Sequence, residues 1–243
     1  MFEAAWGVTH RFSGARAIDV DTAFDLASLT KLFAATAALR AVDRGLIALD
    51  DPLAAIVGEW NSDERRMISL RMLLAHTSGL ASGADYRGLF ALDVEAELLR
   101  RPLVAMPGAT VIYSDLGFIA LGVVMTRVTG LPLGTAIDAL LDGLPREDLG
   151  YRPHARRGAA IPATEVDAWR GMVQGRVHDE KASLMGGVSA HAGLFGTARD
   201  VAALCEAYLG PLHGRASALL RSQTIRMAIA DAAIDALDRD QNA

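Results

Sequence analysis

Ser28 and Lys31 stand three residues apart in Phe24-Asp25-Leu26-Ala27-Ser28-Leu29-Thr30-Lys31, where the chain enters its first long run of helical spacing. Residues three apart on a helix share a face, so the hydroxyl and the amine are within reach of each other. A serine hydroxyl is a poor nucleophile until a neighbouring base takes its proton, and a lysine that burial biases toward the neutral amine is such a base. The start of a helix adds partial positive charge and free N–H groups that could hold an oxyanion. Together these are the parts of Ser-Lys acyl transfer. The same residues also admit a plain reading, a serine at a helix cap and a lysine extended to solvent. In a chain of this make-up an S-x-x-K arises by chance about one time in ten.

A second group is Tyr113-Ser114-Asp115, at the start of another helical run. A phenol beside an ammonium loses its proton more readily and could pass it between the serine and a leaving group. The alternative is that Asp115 caps its helix and Tyr113 belongs to the core. Only two of the 24 basic residues, Lys31 and Lys181, are lysines. Any lysine in a special place is therefore informative, since burial can neutralise an amine and not a guanidinium.

Several elements must position these groups. Ala4 to Thr9 and Ala17 to Val20, joined through Ser13-Gly14, read as a hairpin. From Ser28 the apolar residues Leu32, Ala35, Leu39 and Val42 recur at helical spacing until Arg44-Gly45. Asp50-Asp51-Pro52 opens a short helix, with Pro52 in its first turn. Further helices are predicted over Leu70 to His76, Leu92 to Arg100, Asp115 to Val128, Leu133 to Leu141, Thr197 to Leu209 and Ala216 to Leu237, the last with a break. Val111-Ile112-Tyr113 is one of the few strand-like pieces. There is too little sheet for a doubly wound fold.

The 243 residues carry a net charge of −5, which argues against a surface that tracks nucleic-acid phosphates. With 51% hydrophobic and 22% charged residues the chain has the composition of an ordered globular protein. The longest apolar run, Leu116 to Met125, is about half of a membrane span. The start, Met1-Phe2-Glu3, lacks the basic residues of a secretory signal, and the single cysteine, Cys205, cannot form an internal disulfide. A cytoplasmic location is the resulting expectation. His10, His76, His154, His178, His191 and His213 show no metal-ligand spacing, so neither a metal nor any other cofactor is expected.

The stretch Asp21 to Lys31 resembles the nucleophile segment of the serine β-lactamase and penicillin-binding-protein superfamily, in its class C-like branch, which includes DD-peptidases and esterases. The resemblance continues through Gly45 to Pro52, Ser69 to Leu80, Tyr113 to Phe118 and Gly186 to Ala198, five blocks in order. It implies an α+β, β-lactamase/transpeptidase-like fold: a predominantly helical single domain with a small, incomplete antiparallel sheet. Residues 1–27 would form a hairpin of the α/β part, 28–209 the mainly helical part with the nucleophile, and 210–243 a helical C-terminal segment. By resemblance Ser28 would be acylated, Lys31 would be its basic partner and Tyr113 the proton shuttle. Asp115, a substrate-binding candidate by the same resemblance and a possible partner for a hydrogen bond from Lys31, stands where the family has asparagine. A carboxylate accepts hydrogen bonds and cannot donate them, which favours ester substrates over β-lactams.

Two departures qualify that expectation. The family has a strand and helix upstream of the segment matching Phe2 to His10, and a third motif, K-T-G or H-x-G, on a later strand. His191-Ala192-Gly193 is formally H-x-G but matches the block that leads into a helix, so His191 is a weaker substrate-binding candidate. The loop at His178-Asp179 reads as a solvated turn, with pocket lining as its alternative, and His213-Gly214 has the wrong spacing and reads as loop. Ile225, Ile229, Ala233 and Leu237 form an apolar stripe where the later strand would fall. Either the sequence is a fragment or lacks segments of a longer chain, or a partner chain covers the exposed edge and helix face, and self-association into a homo-oligomer is the expectation. The function implied is a serine hydrolase acting through an acyl-enzyme on an ester, β-lactam or peptide. The alternative is a non-catalytic member that binds a cell-wall peptide, an acyl ligand or a protein partner.

Overall fold

The computed structural model describes residues 3–153 and 160–230. His154 and the end of the apolar stripe, Ala233 and Leu237, lie outside the described residues. The helices are α1 (Thr30–Asp43), α2 (Asp63–Arg66), α3 (Leu70–Leu74), α4 (Val94–Arg100), α5 (Asp115–Thr129), α6 (Leu133–Leu140), α7 (Glu180–Leu184), α8 (Ala198–Leu212) and α9 (Ser222–Ile229). Strands β1 (Phe24–Asp25), β5 (Leu194–Gly196) and β2 (Gly150–Tyr151) form an antiparallel sheet in that spatial order. A separate hairpin joins β3 (Glu165–Asp167) to β4 (Gly171–Val173). The fold is therefore mainly helical with small antiparallel sheets, as the resemblance implied.

Helix α5 is the axis of the core. Ten consecutive residues, Leu116 to Met125, are buried, and α1, α3, α4 and α6 pack around them. The apolar run is a core helix, and no single helix among the described residues is long and apolar enough to cross a membrane. Ser114 caps α5 by accepting the Gly117 N–H at 2.9 Å, and Gly130, left-handed at φ 69°, ends it. The proposed cap role for Asp115 thus belongs to its neighbour.

Helix α1 has the predicted span and the predicted stop at Arg44-Gly45, and its buried face is wider than the predicted stripe. Phe33, Ala34, Ala37, Ala38, Leu39 and Ala41 are buried and Ala35 and Val42 are half-buried against the core, whereas Leu32 is 51% exposed. The alanines leave room for α5 and α6, which pack against α1. Leu32 and Leu39 border an apolar groove of about 770 Å³, which Leu204, Tyr208 and Met227 also line.

Other expectations need correction. The N-terminal hairpin is reduced to a single bridge, Val8 to Ala17, flanked by the bonds Thr9 N–H to Arg16 and Ile18 N–H to Gly7. Pro52 lies just before the 3-10 turn Leu53–Ala55 and not inside it. Val111 to Tyr113 forms no strand; the Ile112 N–H donates instead to the His76 carbonyl at 2.8 Å. Residues 216–221 are not helical, and α9 begins only at Ser222.

Candidate active site

The segment around Ser28 is fixed by backbone pairing. The Leu26 N–H donates to the Leu194 carbonyl at 2.9 Å, and the Leu194 N–H donates to Thr30 Oγ1 at 3.2 Å. Strand β5 therefore holds both ends of the 3-10 turn Ala27–Leu29 that carries the serine. Ala27 adopts φ 45°, a left-handed conformation that costs a non-glycine residue about 1 kcal/mol. Asp25 holds it there: one carboxylate oxygen accepts the Ala27 N–H at 2.7 Å and the other accepts the His178 N–H at 2.6 Å. Burial pushes the Asp25 carboxyl above its ordinary pKa, outweighing the two N–H donors that pull it down. Strain next to a nucleophile, maintained by surrounding bonds, is a common feature of functional sites.

Lys31 is 4% exposed and its ammonium is fully partnered. Nζ lies 3.0 Å from Ser28 Oγ, 3.1 Å from the His191 carbonyl oxygen and 2.8 Å from Asp115 Oδ1. This excludes the solvent-extended lysine. Ser28 itself is exposed, so the hydroxyl is both open to a substrate and in contact with a buried amine. Tyr113 is 52% exposed and presents its ring to Nζ, with the centroid at 4.8 Å. It is a surface residue beside the Ser28–Lys31 pair and not part of the core.

His76 supports that tyrosine. Its ring lies 4.7 Å from the Tyr113 ring and 5.2 Å from the Phe118 ring, and its Nδ1 accepts the Ser114 N–H at 3.0 Å. Burial lowers the His76 pKa, and the nearby positive charge of Lys31 lowers it further against the opposing pull of Asp115. The native state therefore binds fewer protons than the unfolded chain between the depressed value and about pH 6.5, and stability falls as pH drops through that window. We expect the melting temperature to decline below about pH 6.5, and a His76→Gln variant, which keeps an acceptor, to decline less. Equal declines in calorimetry would remove His76 from the explanation.

The second lysine completes the cluster. Lys181 Nζ on α7 lies 3.4 Å from Asp115 Oδ2 and 3.2 Å from Asp179 Oδ2. Burial alone would lower the Lys181 pKa, but Asp179 and Asp115 outweigh it and the net shift is upward. Asp179 caps α7 through the Ala182 N–H at 2.8 Å and receives His191 Nε2 at 2.8 Å. Burial opposes the charge of Asp179, and the hydrogen bond from His191, reinforced by the ammonium of Lys181, overcomes it, holding the carboxyl far below the ordinary range. Asp179 is thus a structural anchor and not part of a solvated turn.

The place of His191 differs from a substrate-facing one. It is 1% exposed, with Nε2 on Asp179 and Nδ1 2.6 Å from Ser189 Oγ. A carboxylate can only accept, so Nε2 carries the hydrogen and Nδ1 accepts from the serine in the neutral ring. What His191 offers the site is its carbonyl, on Lys31. Gly193, two residues on, has φ 114°, and a Cβ there would sit 2.8 Å from the Gly187 carbonyl oxygen, so its identity answers a packing need. Asp115, Asp179 and His191 place ligand-type atoms within 4.8 Å of one another. The ammonium groups of Lys31 and Lys181 already supply the counter-charge there.

Lys181, Asp179, His76 and Asp25 were missed as site residues. The available signal was the rarity of lysine, since both lysines of the chain meet on one carboxylate.

A family model described as Beta-lactamase matches residues 1–239, and the chain belongs to the beta-lactamase family. A putative D-alanyl-D-alanine carboxypeptidase of Escherichia coli (strain K12) is 29% identical over 266 residues, covering 93% of this chain and 61% of the relative. Esterase EstB of Burkholderia gladioli is 35% identical over 188 residues, covering 67% of this chain and 46% of the relative. The chain thus spans less than two thirds of these relatives. The crystal structure of a class C beta lactamase from Rhodobacter sphaeroides shares the fold, with TM-score 0.70 and 21% identity over 92% of this chain and 60% of that one.

Proposed function

We propose that this chain is a serine hydrolase that works through an acyl-enzyme formed on Ser28. The observation that carries the reading is the contact of an exposed serine with a buried lysine, Oγ to Nζ at 3.0 Å. In its neutral form the Lys31 amine keeps two donors, for Asp115 and the His191 carbonyl, and turns its lone pair to the Ser28 hydroxyl. The Ser28 oxygen attacks a substrate carbonyl as its proton passes to Lys31, and Tyr113, whose exposed ring lies beside the Lys31 amine, relays a proton to the leaving group. Water then releases the acyl product.

Asp115 acts on the lysines in this reading and not on substrate, because its two oxygens face Lys31 and Lys181. With no amide at that position to donate to a substrate carbonyl, ester substrates are favoured over β-lactams and peptides. The name of the Burkholderia gladioli relative, an esterase, supports the same preference.

The test compares wild type with Ser28→Ala using a fluorophosphonate probe, a fluorescent penicillin and p-nitrophenyl acetate. Covalent labelling and ester turnover that both vanish in the variant are expected, with ester turnover exceeding penicillin labelling. Labelling that survives in Ser28→Ala would overturn the assignment. Reversible ligand affinity without covalent labelling in the wild type would replace it with a binding protein.

A further inference from the structure

Asp115 is shared by two ammonium groups, and the proposed acyl transfer uses only one of them. At Oδ1 stands Lys31, 2.8 Å away, and at Oδ2 stands Lys181, 3.4 Å away. A general base must give up its proton before it can accept one, and a carboxylate in direct contact opposes that loss. If Asp115 had Lys31 as its sole counter-ion, each deprotonation of Lys31 would leave a largely buried, uncompensated carboxylate.

We infer that Lys181 is a positioning residue of this site: its ammonium serves as the permanent counter-ion of Asp115, which frees Lys31 to exist as a neutral amine beside Ser28. The inference rests on the reading of Ser28 and Lys31 as an acylating pair.

The surroundings support the division of labour. Lys31 on α1 is faced by Ser28, by Asp115 at the start of α5, by the Tyr113 and His76 rings, and by the His191 carbonyl. Lys181 on α7 is faced by Asp115 and Asp179. The 3-10 turn Tyr86–Leu89 packs on α7, and its exposed Arg87 pairs with Asp85 at 3.5 Å. Lys31 and Lys181 against Asp115 and Asp179 is a balanced set when the His191 ring is neutral. Taking a proton from Lys31 leaves one net negative charge; without Lys181 it would leave two. Asp179 is in turn held by His191, so the histidine loop fixes Lys181 through Asp179 and Lys31 through its own carbonyl.

The experiment follows fluorophosphonate labelling of Ser28 across pH in wild type, Lys181→Gln and Lys181→Arg. The acid limb of the rate profile should move to higher pH by about one unit in Lys181→Gln, a tenfold gain in the proton affinity of the base, and return in Lys181→Arg. A slower rate at every pH with an unmoved limb would mean that Lys181 is only structural, and would overturn the inference. A second readout is independent of activity. Because the chain has two lysines, 13C labelling at the lysine ε-carbon gives two signals in the wild type and one, from Lys31, in either variant. That remaining signal should titrate at higher pH in Lys181→Gln than in Lys181→Arg, and equal titration would overturn the inference. A wild type that fails to label would sink the proposed function alone, and the spectra would still decide the role of Lys181. If Lys181→Gln does not fold, Lys181→Met provides the same comparison.

Discussion

Replacing Lys31 by methionine should slow acylation of Ser28 by about 10³-fold while leaving the protein folded. Methionine fills a similar volume with no amine, so the serine loses the base it contacts and keeps its place on the 3-10 turn. Asp115 is not orphaned, because Lys181 still lies 3.4 Å from Oδ2. The His191 carbonyl loses a donor, a modest cost of about 1 kcal/mol. Labelling rates should therefore fall far more than the melting temperature, and a variant labelled at the wild-type rate would remove Lys31 from the chemistry. A variant that unfolds instead would show that the amine is needed for packing first.

The largest effect on stability is expected at Gly79. It sits at φ 75°, and a Cβ there would stand 2.1 Å from the Ala105 carbonyl oxygen, a backbone atom that cannot rotate away. The same loop is stitched to the following segment by the Val104 N–H on the Gly79 carbonyl at 2.9 Å and the Gly108 N–H on the Thr77 carbonyl at 2.7 Å. Gly79→Ala must break this junction or adopt a strained backbone, and we expect a loss of about 3 kcal/mol or more in urea denaturation. Since the loop also carries His76, which packs on Tyr113, the fraction that folds should label more slowly. A loss below about 1 kcal/mol would show that Ala105 yields easily.

Both effects depend on how local spacing and distant packing combine. Ser28 and Lys31 are legible in the sequence because a three-residue separation on a helical turn brings them together whatever else the chain does. The helices α1, α4, α5, α6 and α8 are legible for the same reason, as period, cap and stop are local properties. The strands are not. Each is two or three residues long, too short for an alternating pattern, and exists because partners from elsewhere complete its hydrogen bonds. Of the α1 stripe, Leu39 is buried and Ala35 and Val42 are half-buried against the core, but Leu32 is exposed, because packing and not period decides which residues a neighbour covers.

What the sequence determined by itself is the reactive pair, its place at the head of a helix and the helical character of the chain, all set by contacts between near neighbours. What only the tertiary structure decided is the state of charge around that pair. Lys31 meets a carbonyl 160 residues away, and Asp115 receives Lys181 from a third element. Coulomb energy depends on distance through space and on the water excluded between charges, and neither is written in the spacing of residues along the chain.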